Sequence, residues 1–153
     1  MKRLVRERIT DKLGKGVDTP IIDLVALLFL FGFSPGFSCG GHVRPPGLAY
    51  PWIALEPWEQ KTRKGKEEIR KRTLSQAASL YSLIERCYLS EGQPPYHEML
   101  VVVPGGGLAS IRLVPTIVAA AAHTPRKDSV QYGRRAMNHL VRYLKKSYLT
   151  QEA

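Results

Sequence analysis

Apolar positions along the chain fall into blocks of different period, and these blocks predict an ordered set of elements. From residue 21 to 33 almost every position is apolar, with Asp23 the charged exception. Such a run predicts a helix buried around most of its circumference. Asp18 or Thr19 is placed to cap it, Pro20 suits its first turn, and Gly32 ends it. Residues 33–38 and 50–56 read as short strands, the second containing Trp52 and Ile53. The glycines and prolines between them predict a loop.

Leu74, Ala77, Ala78, Tyr81, Ile84 and Tyr88 recur at spacings of three and four, which predicts a helix over 64–89 with an unpacked, charged beginning. Residues 99–103 and 110–114 read as a hairpin around the turn at 104–107, and 116–122 as a short helix. A last helix over 128–148 has Val130, Gly133, Met137, Leu140, Val141, Leu144 and Tyr148 on one face and its cations largely elsewhere. The order helix, strand, strand, helix, strand, strand, helix favours an α+β fold: an antiparallel or mixed sheet of about four strands with three main helices. The whole chain, 1–153, reads as a single basic domain with flexible ends at 1–17 and 148–153.

Composition sharpens this picture. The chain has 153 residues and a formal charge of +10, with 44% hydrophobic and 24% charged residues. That excludes a wholly disordered chain, and the length suits one core. Three segments carry the positive charge: 1–18 at +3, 59–72 at +4 and 126–153 at +5. If they meet, they form an anion-binding face. The hydrophobic run at 21–33 is thirteen residues long, short of the ~20 that a bilayer helix needs, so no transmembrane segment is expected. Two cysteines exclude a dense disulfide framework and make a reducing cytoplasm the expected location.

The chemistry concentrates in the loop after the first strand. Cys39 and His42 lie three positions apart, which suggests a thiolate nucleophile with His42 as base, its pKa lowered by the nearby amides and by Arg44. No second tight pair completes a four-ligand zinc set, so no metal is expected. The other reading is a binding loop. Gly40 and Gly41 let a ligand approach, Ser38 offers a hydroxyl, His42 and Arg44 meet phosphate, and Trp52 stacks on a base. Lys61, Arg63, Lys64, Lys66, Arg70, Lys71 and Arg72 form a run suited to contacting nucleic-acid phosphates without reading sequence. The turn at 104–107 lacks both nucleotide-binding glycine spacings.

The apolar helix followed by an extended stretch and the turn Ser38, Cys39, Gly40, Gly41, His42 resembles the opening of the tRNA wybutosine-synthesising methyltransferases. It is also similar to small prokaryotic proteins with a Ser-Cys-x-Gly-His turn, which share an aromatic strand matched here by Tyr50, Pro51 and Trp52. The likeness covers residues 18–56. It implies a conserved turn at Ser38, Cys39 and Gly41, S-adenosylmethionine as cofactor, and tRNA as substrate. His42 stands where that family has arginine. Three functions follow as expectations. The first is an RNA-associated protein of the tRNA-modification type, with structured RNA or tRNA as partner and a nucleotide pocket at the 38–44 loop. The second is an enzyme using Cys39 and His42 on a small anionic substrate. The third is a non-catalytic interaction protein that forms a homodimer through the stripe containing Leu140 and Leu144.

Overall fold

The structure is a computed structural model and describes residues 17–55, 65–105 and 111–152, the side chains of Lys66 and Glu152 excepted. It is an α+β fold with one four-stranded antiparallel sheet. A 3-10 turn, Thr19–Ile21, leads into α1 (Ile22–Leu30), followed by β1 (Pro35–Cys39) and β2 (Trp52–Leu55). Then come α2 (Gly65–Glu91), a 3-10 turn Tyr96–Glu98, β3 (Leu100–Pro104), β4 (Ile111–Pro115), a 3-10 helix Thr116–His123 and α3 (Arg126–Glu152). No helix among the described residues is long and apolar enough to cross a membrane.

The strands lie in the order β1-β2-β4-β3, every neighbour antiparallel. Two hairpins, β1-β2 and β3-β4, are joined through β2 and β4, so the connection through α2 is a crossover to the edge strand β3, which the order of elements alone did not require. Cys39 pairs with Trp52 and Leu100 with Pro115, so these residues lie toward one end of the sheet, with the Ile53–Leu113 pair nearer its middle. Pro35, Leu55, Ile111 and Pro104 lie at the other end.

Side chains alternate across a strand. Ile53, Leu55, Ile111, Leu113 and Leu100 join one core with Leu24, Leu27 and Leu28 of α1, Leu80 and Leu83 of α2, and Met137, Leu140 and Leu144 of α3. Trp52, Ala54, Arg112 and Val114 alternate to the opposite face, and Ala54 and Val114 lie outside that core cluster.

Several features differ from the sequence reading. Neither Asp18 nor Thr19 caps α1 through a side chain, because the chain enters through a 3-10 turn and Asp18 bonds elsewhere. Gly32 does end the segment, with φ at +89°, a conformation that favours glycine. The buried face of α2 is Leu80, Leu83, Ile84 and Cys87, whereas Leu74 and Tyr81, expected inside, are 63% and 66% exposed. Two apolar stripes compete on that helix, and the one rotated toward β3 packs.

The last helix runs to Glu152, past the expected stop at 148. Its stripe is used by the protein's own core: Leu140 and Leu144 are buried, which closes the expected dimer interface. The N-terminal basic segment through Lys15 and the turn glycines Gly106 and Gly107 lie outside the described residues.

Gly133 sits inside α3, where alanine would ordinarily stabilise a helix by ~1 kcal/mol. Here a Cβ would stand 2.3 Å from Pro51 Cδ and 3.1 Å from Pro115 Cγ, so the helix crosses the sheet end at a distance only glycine permits. Gly133→Ala is expected to destabilise the fold by about 1–3 kcal/mol in denaturant unfolding, the overpacking cost exceeding the propensity gain.

Burial raises the Cys87 thiol from 9.0 to about 11, with the Glu91 charge adding to the rise and Arg142 opposing it. A raised folded value favours the protonated thiol in the folded state. Its contribution is complete below the unfolded value and is lost as pH rises through the folded one. Unfolding free energy is therefore expected to fall between about pH 9 and 11, and Cys87→Ala should flatten that part of the pH profile.

Candidate functional site

The loop over 40–51 contains two adjacent prolines and four glycines or alanines, and its carbonyls have no strand to pair with. Buried or half-buried carbonyls need donors, and two arginines of α3 supply them. Arg134 donates from Nε to Gly40 O at 3.0 Å and from Nη2 to Gly41 O at 3.4 Å. Arg126 donates from Nε to Val43 O at 3.2 Å and from Nη2 to His42 O at 3.1 Å, and also to Gly47 O. The loop is closed on itself by His42 N–H donating to Leu48 O at 2.8 Å. Gly41, with φ at +84°, lies so close to Pro51 and Tyr50 that a Cβ would meet their backbone at 3.1 Å.

The loop root is tied from the other side as well. Gly40 N–H donates to Asp18 Oδ2 at 2.8 Å. Asp18 thus links the entry of α1 to the exit of β1. The Cys39 thiol is half-buried and bonds the same carboxylate.

Burial pushes the Cys39 thiol up from 9.0. The Gly41 N–H opposes this, the Asp18 charge adds to it, Arg134 opposes it, and the bond to Asp18 adds again. The net direction is opposite to that expected for a thiolate nucleophile. His42 is exposed, and its ring packs over Gly47, where a Cβ would stand 2.1 Å from Cδ2. It is Asp18, and not His42, that bonds the Cys39 thiol.

The remaining expected residues fall into two places. Ser38, Gly40, Gly41, Arg44 and Trp52 lie with Cys39 and His42 at one end of the sheet, Arg44 exposed and Trp52 half-buried. Arg112 from β4 places its guanidinium 4.7 Å from the centroid of the Trp52 ring. Strand alternation puts this cation–π pair on the sheet face away from the core cluster, beside the buried Ala54 and Val114.

Arg70, Lys71 and Arg72 are exposed on α2, Arg72 pairing with Glu68 at 3.1 Å. They lie at the other end. Ser34 N–H, just before β1, donates to Gln76 Oε1, whereas Tyr88 of the same helix accepts Leu100 N–H at the loop end of the sheet. From Gln76 back to Arg70, α2 therefore leads away from the loop. The length of β1 plus the helical rise puts about 20 Å between the two groups. Lys61, Arg63 and Lys64 lie outside the described residues.

Sequence reasoning missed Asp18, Arg112, Arg126 and Arg134 as parts of this site. A glycine inside an apolar helical stripe, Gly133, was the available signal that α3 touches something closely. No group of three or more possible metal ligands occurs among the described residues.

An open cavity of about 350 Å³ lies at the opposite edge of the sheet, lined by Tyr81, Tyr88, Leu89, Met99 and Leu100 among others. It does not adjoin the loop. No protein-family model, curated protein or solved structure matches this chain.

The turn at 38–41 does not fit the S-adenosylmethionine that the family resemblance implies. Gly40 N–H is held by Asp18, Gly41 N–H by Cys39, and both glycine carbonyls by Arg134. Its backbone is used within the protein, so no methyl-transfer step is derived from it.

Asp18→Asn removes the negative charge beside Cys39 while keeping an acceptor for Gly40. The thiol's pKa should fall, so alkylation by iodoacetamide near pH 8 should be faster than in the wild type. Arg134→Ala, which removes an opposing positive charge, should change the thiol's titration in the upward direction. An unchanged rate-against-pH curve in Asp18→Asn would contradict this arrangement.

Proposed function

We propose that the protein is a small RNA-associated protein that holds a nucleotide of a structured RNA, such as a tRNA, between the 38–44 loop and Trp52. The observation that carries this reading is the Trp52–Arg112 pair beside a loop fixed from both sides. The half-buried Trp52 ring offers a base the part of its surface that stays open, and Arg112 beside it adds positive charge. Arg44 and His42 stand exposed on the adjoining loop. The formal charge of +10 favours encounter with a polyanion.

The positions of the cations favour a polymer over a free nucleotide. A single nucleotide at the loop does not reach Arg70, Lys71 and Arg72, whereas an RNA strand spans the ~20 Å between them. The Cys39 enzyme reading gains no support, since burial and Asp18 keep that thiol protonated.

Total tRNA titrated into the protein at ~50 mM and ~200 mM salt tests the reading. Association at low salt, weakened at least tenfold at the higher concentration, is expected from counterion release. Trp52→Leu should weaken binding at both concentrations. The combined replacement of Arg70, Lys71 and Arg72 by alanine should chiefly reduce the salt dependence. No association even at the lower salt removes the proposal.

A further inference from the structure

We propose that the outer side of the loop is a phosphate subsite built from the backbone N–H groups of Val43 and Arg44 together with the Arg44 guanidinium. This inference rests on the RNA reading above and specifies which part of the nucleotide the loop holds. Its basis is the direction of peptide dipoles. In a trans peptide the N–H of one residue points opposite to the preceding carbonyl.

The carbonyls of His42 and Val43 both accept from Arg126, at 3.1 and 3.2 Å. The N–H groups of Val43 and Arg44 are therefore turned together away from that guanidinium, on a stretch where both residues are exposed. Neither N–H has a hydrogen-bond partner among the described residues. The two preceding amides are different: Gly41 N–H serves Cys39, and His42 N–H serves Leu48.

Two neighbouring N–H groups turned outward present an anion with two donors. Pro45 and Pro46 follow without N–H groups, which limits the set to these two. Arg44 adds a planar, permanently charged fork whose geometry matches phosphate oxygens. Arg126 acts here as a positioning residue. Its Nε and Nη2 donate to the loop carbonyls, and its effect is to aim the amides outward.

The test is an amide-resonance titration of the full-length 15N-labelled protein. Inorganic phosphate is added in one arm and a short single-stranded RNA in the other, with ionic strength matched by chloride. Saturable shifts of the Val43 and Arg44 amides are expected in both arms. Arg44→Ala should weaken inorganic phosphate about tenfold, given the strength of charge-assisted bonds. Arg135→Ala should leave phosphate binding unchanged, because that exposed cation pairs with Glu98.

Amides of Val43 and Arg44 that stay still in both arms, or that move without saturation, overturn the subsite. RNA that binds without moving them overturns the subsite and leaves the RNA reading standing. Phosphate that moves them saturably while RNA fails to bind supports the subsite as a free-phosphate site and removes the RNA reading.

Discussion

Two arginine side chains of the last helix hold the carbonyls of a loop made nearly a hundred residues earlier in the chain. The contacts of Arg126 and Arg134 span sequence separations of 79 to 94 residues. Without them, the part-buried carbonyls of Gly40, Gly41 and Gly47 would lose their donors, and the exposed carbonyls of His42 and Val43 would turn to water. The close crossing of α3 over Pro51 at Gly133 brings the arginines within reach. Asp18 secures the same loop at its root. The exposed stretch over 42–48 is thus the outer side of a braced structure, with its peptide dipoles given a direction by what lies beneath.

This bracing also divides the positive charge into two classes. Arg126 and Arg134 serve the protein's own backbone, and Lys145 and Lys146 pair with Asp23 and Glu91 at 3.2 and 3.1 Å. Partly exposed pairs of this kind contribute little to stability, but they reduce the free charge that α3 offers a ligand. Arg44 stays exposed at the loop, and Arg70 and Lys71 stay exposed at the far end of the sheet. The formal charge of the chain therefore overstates what any one face presents, and an extended anion is the kind of ligand that meets both ends.

The architecture was largely legible in the sequence because it rests on local periodicity. The continuous apolar run of α1, the β-branched run of β3 and the stripe of α3 each announce an element, and their order implies antiparallel hairpins. The face of α2 was not legible, since Leu74 and Tyr81 continue one apolar stripe while Leu80, Leu83 and Cys87 form another. Only the position of β3 selects between them. At the site, the loop and Trp52 could be picked out by residue type. The roles of Asp18, Arg112, Arg126 and Arg134 depend on distant pairings that no local pattern encodes, so Asp18 resembled a helix cap and the arginines resembled a solvated face.

Backbone 15N relaxation over residues 40–48 of the free protein tests the central claim most directly, that this loop is held in one geometry by α3. Order parameters near ~0.85, comparable with the strands, are expected in the wild type, falling over 40–48 when Arg126 and Arg134 are both replaced by alanine. Values below ~0.6 in the wild-type loop would contradict the account, because a loop that samples many conformations directs its amides nowhere in particular.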